Sequence, residues 1–211
     1  MNVSPSKENI LKKIRQALSE STPLPFPQAE GGGQIYEPAT QEMAVEFAQH
    51  FTSLGGKFVY CINHQELASY LNNLVNHEKW TKVYCKEPEL KATLQKNLFD
   101  NFCDSPLGQC DVAITTCEFL VARTGSMVLS AAGDSGRTVS VYAPIHICIA
   151  YASQLVHDVK DALMAVKEKY GDKLPSFISF ATGPSRTADI EKTLVVGVHG
   201  PKEVYCFLVD E

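Results

Sequence analysis

The sequence lacks the short motifs that mark several common enzyme classes. It contains no G-x-S-x-G, no G-x-x-x-x-G-K-[ST] and no G-x-G-x-x-G. The nucleophile elbow of α/β-hydrolases, the phosphate-binding P-loop and the dinucleotide-binding turn are therefore not predicted. The six histidines include no pair four residues apart, which also excludes a helical His–His metal site.

Long apolar runs and strong positive charge are also missing. No apolar run approaches the roughly 20 residues of a membrane-spanning helix, and the N-terminus has no apolar segment like that of a secretion signal. The formal net charge is −5, and the only compact basic group lies at residues 12–15. Nucleic-acid binding depends on neutralising phosphates. We therefore expect no nucleic-acid partner, no membrane span and a cytoplasmic location.

Seven cysteines are present, but no two of them form a C-x-x-C pair. Zinc-ribbon and iron–sulfur sites use such closely spaced thiols, so we predict that this chain itself holds no metal and no cofactor. Most of the cysteines lie among apolar residues, which is typical of buried, reduced thiols. Cys103, Cys110 and Cys117 surround one loop, and a metal site there is the weaker alternative because their spacing does not support it.

The first forty residues differ from the rest of the chain. After a Ser4-Pro5 start, apolar residues at helical spacing predict a short amphipathic helix; they are Ile10, Leu11, Ile14 and Leu18. Residues 22–40 hold four of the eleven prolines and three consecutive glycines, which is typical of a linker. We therefore divide the chain into a helix with its linker, residues 1–39, and a main domain, residues 40–211. The helix either folds back onto its own domain or docks on a partner chain. The first is favoured because short isolated helices are marginally stable.

The main domain alternates helices with strands. Amphipathic periodicity predicts helices at residues 40–54, 63–75, 87–98 and 153–170. Apolar runs predict strands at residues 57–61, 81–85, 111–116, 177–181 and 204–209. A block without helices contains three further predicted strands, at residues 126–131, 137–142 and 146–150. This pattern indicates an α/β fold with a mainly parallel sheet, helices on both faces and an antiparallel addition.

Polar and glycine residues with binding chemistry are concentrated after the strand at residues 177–181. The chain there is Thr182-Gly183-Pro184-Ser185-Arg186-Thr187, and a helix is predicted from residue 185 to 191. A strand that enters a helix through a glycine turn leaves N–H groups free at the positive end of the helix dipole, which suits an anion. Ser185 and Thr187 add hydroxyls, and Arg186 adds a planar fork for carboxylate or phosphate.

A purely structural interpretation of the same residues is also open. Ser185 or Thr187 can cap the helix, and Arg186 can pair with a surface carboxylate. Asp189 is either a favourable carboxylate in the first helical turn or a group that orients Arg186 or His199.

The run from Thr182 to Glu191, together with Gly197-Val198-His199-Gly200-Pro201, resembles the LUD (lactate utilization) domain family, and within it the lactate utilization protein C group. Two further segments fit, Thr124-Gly125-Ser126-Met127-Val128-Leu129 and Pro144-Ile145-His146-Ile147. The resemblance extends over residues 40–211. It implies the fold shared by sugar-phosphate isomerases and coenzyme A transferases. Arg123 departs from the family pattern, which often has an acidic residue before the threonine.

Ligands of open α/β sheets bind at the carboxyl ends of parallel strands, so these segments are predicted to line one pocket. The predicted ligand-binding residues are Thr182, Gly183, Ser185, Arg186, Thr187, Thr124, Gly125, Ser126, His199 and Asp189. His199 lies between glycines, where backbone can approach a ligand closely. For His146 we expect a strand-edge or partly buried structural position.

The resemblance implies a subunit that takes part in oxidation of L-lactate to pyruvate together with iron–sulfur partner proteins. The chain would bind a small carboxylate or phosphate-bearing ligand. The alternative is a stand-alone enzyme of the same fold that acts on a sugar phosphate or an acyl-coenzyme A. A coenzyme A transferase would need a nucleophilic glutamate, and Glu118 and Glu191 are the glutamates nearest the motifs.

Overall fold

The computed structural model describes residues 5–19, 41–187, 195–197 and 199–210. The chain divides into two compact units, Met1–Pro38 and Ala39–Glu211. The described part of the first unit is helix α1, Pro5–Ser19, which confirms the helix predicted near the N-terminus. None of the helices in the described ranges is long and apolar enough to cross a membrane.

The described residues of the second unit form five further α-helices and eleven strands. The helices are α2 Met43–Ser53, α3 His64–Glu78, α4 Pro88–Lys96, α5 Val139–Tyr142 and α6 Val159–Tyr170. The strands are β1 Lys57–Cys61, β2 Val83–Tyr84, β3 Val112–Thr116, β4 Phe119–Val121, β5 Ser126–Ser130, β6 Ile145–Tyr151, β7 Leu155–Val156, β8 Ile178–Ala181, β9 Arg186–Thr187, β10 Val195–Val196 and β11 Glu203–Val209.

The main sheet has five parallel strands in the order β1-β11-β6-β3-β2. Side chains alternate between its two faces. On one face, Ile114, Ile147 and Phe207 pack with apolar residues of α3 and α4. On the other, the β6 and β11 residues Cys148 and Leu208 pack with apolar residues of α2 and the second sheet. Helices lie on both faces, so the predicted fold class is confirmed.

The second sheet has four strands in the order β7-β4-β5-β8. The pairs β4–β5 and β5–β8 are antiparallel, and β4–β7 is parallel. Helix α6 covers its outer face through Ala162 and Val166, which pack on Val121 and Val128. This sheet is the predicted antiparallel addition.

Several predicted helix ends are confirmed. Gly55 has φ +89°, and the N–H groups of Gly55 and Gly56 donate to the carbonyls of Thr52 and Phe51 at 3.0 Å. These two bonds form a Schellman motif, which ends α2. The Asn63 side chain accepts a hydrogen bond from the Glu66 N–H at 2.9 Å and caps α3 as predicted.

Three predictions in the middle of the chain are wrong. Residues 139–142 form helix α5 and not a strand, because Val139 is buried against Ala113 and Ala143, a contact that outweighs the strand propensity of the segment. The strand at His146 belongs to the centre of the parallel sheet and not to the antiparallel addition. The long helix begins after Asp158, not Ser153, because Asp158 and Asp161 form a capping box.

Candidate functional site

The segment predicted to bind an anion, residues 182–187, ends in a short strand. Arg186 and Thr187 form β9 and pair antiparallel with Val196 and Val195 of β10. The predicted helix start at residue 185 is therefore wrong, and residues 188–191, Asp189 among them, lie outside the described residues. The physical reason is main-chain pairing with a distant segment. The Ser185 N–H donates to the Pro201 carbonyl, and the Gly197 N–H donates to the Ser185 carbonyl, both at 2.9 Å.

Arg186 contacts the end of helix α2. Its Nη2 donates a hydrogen bond to the Leu54 carbonyl oxygen at 2.5 Å. Gly183, with φ +120°, lies beside the same carbonyl, because a Cβ built on Gly183 would be 3.1 Å from it. The chain around Gly183 and Arg186 therefore closes over the C-terminal end of α2.

Three of the predicted residues meet through their hydroxyl groups. Ser126 Oγ lies 2.8 Å from Thr124 Oγ1 and 2.8 Å from Thr182 Oγ1. Gly125 lies between Thr124 and Ser126 in the sequence and has φ +60°. It fits so closely against α2 that a Cβ there would be 2.4 Å from the Phe51 nitrogen. Ser126 is buried. The tertiary fold thus brings Thr124, Ser126 and Thr182 together and places Gly125 at a close approach of backbone to helix.

His199 lies in a different place, which we call the amino-edge cleft. This cleft lies at the amino ends of β6 and β11 and has a volume of about 530 Å³. Its lining includes His199, Lys202, Tyr142, Pro144, Gly197 and Gly200. Ser185 packs against Gly200, since a Cβ on Gly200 would be 2.8 Å from Ser185 Cβ. Those predicted site residues that the structure places are therefore divided between the end of α2, the hydroxyl group cluster and this cleft.

A cleft that sequence reasoning missed lies at the carboxyl ends of the parallel strands, and we call it the carboxyl-edge cleft. Its volume is about 190 Å³. Its polar lining comes from the ends of β2, β3 and β5, the loop 131–136, helix α5 and the last turn of α6; it includes Glu87, Thr116, Glu118, Ser135, Ser140 and Lys169. Ligands of open α/β sheets bind at this edge.

Glu87 joins the end of β3 to the loop over the cleft. Its Oε2 accepts hydrogen bonds from Thr116 Oγ1 at 2.7 Å and from the Thr116 N–H at 3.0 Å. Its Oε1 accepts from Ser135 Oγ at 2.6 Å. The carboxylate is thereby fixed at the wall of the cleft.

Glu118 is the second carboxylate of the cleft and is 9% exposed. Its Oε1 accepts from Ser130 Oγ at 2.5 Å and from the Tyr170 hydroxyl at 2.7 Å, and Lys169 Nζ lies 2.7 Å from Oε2. Burial acts to raise the pKa of Glu118, but the hydrogen bonds from Lys169, Ser130 and Tyr170 together hold it below its usual value. The hydrogen bond to Glu118 in turn raises the pKa of Lys169, so the pair is ionised at neutral pH.

His146 lies behind the cleft wall. It is 1% exposed, and its Nε2 is 2.8 Å from Oγ1 of Thr115, which lines the cleft. Burial lowers the pKa of His146 to about 4, so the ring is neutral at pH 7. His146 was expected at a strand edge or in a partly buried position, and this is wrong, because the side chain is fully buried on the central strand β6.

Arg123, the residue that departs from the family pattern, has a structural partner. Its Nε is 2.7 Å from Asp158 Oδ2, which caps α6. Within the described ranges, no group of three or more His, Cys, Asp or Glu side chains is arranged to hold a metal ion. The loop cysteines Cys103, Cys110 and Cys117 do not form one.

A sequence signal for the carboxyl-edge cleft does exist. Glu87 and Glu118 each follow a predicted parallel strand by two residues, and such positions meet at one edge of a sheet. Lys169, Ser130 and Ser135 carry no comparable signal, because only the packing of α6 and the loop on the second sheet brings them there.

Comparison with known proteins places the chain in a family. The LUD domain matches residues 44–209. Lactate utilization protein C of Geobacillus thermodenitrificans is 30% identical over 177 residues, which cover 82% of this chain and 72% of that protein. The proteins of the same name from Bacillus licheniformis and Bacillus subtilis are each 39% identical over 105 residues, 49% of this chain, and the matched part spans only 44% of their length.

The crystal structure of a DUF162 family protein from Deinococcus radiodurans has the same fold. It superposes with a TM-score of 0.60 at 18% identity and covers 82% of this chain and 99% of that one. The matches over most of the main domain show that this chain belongs to the LUD domain family.

Proposed function

We propose that this protein acts in lactate utilization, as a cytoplasmic subunit that takes part in oxidising L-lactate to pyruvate together with iron–sulfur partner proteins. The observation that carries the proposal is the 30% identity to a lactate utilization protein C over 82% of this chain. Oxidation of lactate releases two electrons, which need an acceptor. The cysteine spacing of this chain provides no cluster site, so the electrons would pass to a partner.

The subunit is proposed to bind a small anionic ligand in the carboxyl-edge cleft. At about 190 Å³, this cleft is smaller than the roughly 300–1,000 Å³ of sites for drug-sized ligands. Lys169 supplies an ammonium group at its rim, where the side chain is 54% exposed.

An anion contact at residues 182–187 stays a prediction, and the negative end of a helix dipole near Arg186 disfavours an anion there. Arg186 lies at the C-terminal end of α2, where the helix dipole is negative.

Growth and co-purification test the proposal in a host that carries this gene. A strain without the gene should fail to grow on L-lactate as sole carbon source, grow normally on pyruvate, and recover when the full chain is restored. The tagged full chain should also co-purify with iron–sulfur proteins under anaerobic conditions. Normal growth of the deletion strain on L-lactate would overturn the proposed function.

A further inference from the structure

We propose that strand β1 is a docking edge for a second copy of this chain, and that the two β1 strands pair antiparallel and join the two main sheets into one. In the described ranges, β1 lies at one end of the strand order of the main sheet and pairs with β11 on one side only. An edge strand offers its outward N–H and C=O groups to another strand. The direction of those groups in β1 defines the partner that fits.

The outward groups of β1 belong to Phe58 and Tyr60. The N–H of Asp210, which follows β11, donates to the Cys61 carbonyl at 3.0 Å, so the main-chain groups of Cys61 face β11. These groups point to alternate sides along a strand, so the residues two and four positions before Cys61 also face β11. The N–H and C=O of Phe58 and Tyr60 therefore face the open side.

The chain itself closes both ends of this open stretch. At the amino end, the Gly56 N–H donates to the Phe51 carbonyl at 3.0 Å. At the carboxyl end, the Ile62 N–H donates to Glu66 Oε2 at 2.7 Å. By the same alternation, the N–H groups that a docking strand would use are those of Phe58 and Tyr60.

A second copy of β1 matches this edge. When it runs antiparallel with Val59 opposite its own counterpart, Phe58 lies opposite Tyr60 of the second copy. Residues opposite each other at such a position exchange both main-chain hydrogen bonds. The two-fold axis repeats the exchange, so four hydrogen bonds pair the outward groups of both copies. Contacts of this symmetric kind are the commonest in homo-oligomers.

The aromatic side chains agree with this register. Phe58 is half-buried, with its ring centroid 5.9 Å from that of Phe47 in α2, and Tyr60 is 45% exposed. In the proposed pair, Tyr60 of the second copy lies directly opposite Phe58 on the same face. Aromatic residues opposite each other stabilise a strand pair.

The charges also agree with this register. Lys57 is the only charged residue of β1, and it lies opposite Cys61 of the second copy, so no like charges oppose each other. Cys61 is adjacent to Ile62, whose N–H binds the carboxylate of Glu66. Lys57 of each copy therefore lies beside Glu66 of the other, and the two ion pairs favour a second copy as the occupant.

Light scattering and amide hydrogen exchange on the full chain, across a concentration series, test the proposal. A contact this short is expected to be reversible, so the mass should rise from one chain to two in the micromolar range. The Phe58 and Tyr60 amides should exchange more slowly as the dimer forms. The Val59 amide, which faces β11, is the internal control and should exchange slowly at every concentration.

Three results would overturn the proposal. The first is a monomer at all concentrations with fast exchange at Phe58 and Tyr60. The second is a dimer in which both amides still exchange fast, because the copies then meet at another surface. The third is slow exchange of both amides that does not depend on concentration, because another segment of the same chain then covers the edge.

A proline at the edge identifies the main-chain contact. Tyr60→Pro removes an outward N–H and no hydrogen bond to β11, and edge strands tolerate proline at such positions. By symmetry the dimer loses two hydrogen bonds, so its dissociation constant should rise about tenfold or more. Tyr60→Ala keeps the N–H and is the matched control, with a smaller rise. Equal dissociation constants for the two folded variants would reject the strand pairing.

A second variant tests the register and does not depend on proline. Glu66→Gln keeps an oxygen for the Ile62 N–H but removes the charge, so it should weaken the dimer about fivefold and reduce its sensitivity to salt. Glu168→Gln, exposed on α6, is the control and should change neither. An unchanged dissociation constant and salt dependence for Glu66→Gln would reject the register.

Discussion

Arg186 and Leu54 are joined by a hydrogen bond from the guanidinium Nη2 to the carbonyl oxygen, 2.5 Å long. Leu54 is the C-cap residue of α2, so a cation lies where the helix dipole is negative and carbonyl groups lack helical partners. The bond ties the segment after β8 to the first helix of the domain, across more than a hundred residues of sequence.

Replacement of Arg186 separates its structural contact from ligand binding. Arg186→Ala should lower the free energy of unfolding by about 1 kcal/mol, because a hydrogen bond and a favourable dipole contact are lost. Arg186→Lys should restore part of that loss, since the charge remains but the fork does not. Chemical denaturation and ligand titration on the same samples measure both effects. An unchanged stability with affinity for carboxylates reduced tenfold or more would instead make Arg186 the anion contact.

Gly125 is expected to be required for folding and not for ligand chemistry. Gly125→Ala places a Cβ 2.4 Å from the Phe51 nitrogen at φ +60°, so it should destabilise the domain by about 2 kcal/mol or more. Gly108→Ala is the matched control, because its Cβ would meet nothing within 4 Å. Thermal unfolding of the two variants should differ by several degrees, and equal melting temperatures would show that α2 is not held against this turn.

Glu118 should make stability depend on pH in the acid range. Its folded-state pKa is lowered, so its contribution is fully present above the unfolded value of about 4.3 and is lost as pH falls through the folded value. Glu118→Gln should therefore destabilise the protein at pH 7 and flatten the loss of stability below about pH 4.3. Urea denaturation at several pH values measures this, with Glu168→Gln as control. Parallel curves for Glu118→Gln and the wild type would contradict the assignment.

The purified chain should contain no iron–sulfur cluster. The described cysteines are free, and Cys117, Cys148 and Cys206 lie in an apolar core. Contact with the Cys148 thiol, together with burial, raises the pKa of Cys117 well above its usual value, which opposes the thiolate that a cluster needs. Anaerobic purification followed by iron and sulfide analysis is the measurement. Stoichiometric iron with sulfide would refute the prediction.

Removal of residues 1–20 should leave the main domain folded. The family match begins at residue 44, and residues 39–211 form a compact unit. The truncated chain should unfold cooperatively at nearly the same denaturant concentration as the full chain, while co-purification of partners should weaken if the helix docks on them. Loss of cooperative unfolding would show that the N-terminal helix belongs to the core of the domain.

Local patterns predicted much of the architecture. Apolar runs predicted strands β1, β3 and β11. Gly55 predicted the end of α2, and Asn63 predicted the start of α3, because both residues act on the backbone within a few positions. The helix predicted to begin at Ser185 was wrong. The Ser185 N–H donates to the Pro201 carbonyl and the Arg186 side chain to the Leu54 carbonyl, and local periodicity cannot reveal contacts with such distant residues. The strand predicted at Val139 was wrong because contact with Ala113 outweighs local propensity.

The α/β class, the family resemblance and the kinds of side chain available for binding can be read from the sequence, because they depend on residue identity and on short-range spacing. Which of those side chains lie close together depends on the tertiary structure. It placed Glu87, Glu118 and Lys169 in one cleft, assigned Arg186 to the end of α2, and separated His199 from Thr124. The reason is that a site at a sheet edge is assembled from strand ends far apart along the chain, and packing of the two sheets and α6 sets their distances.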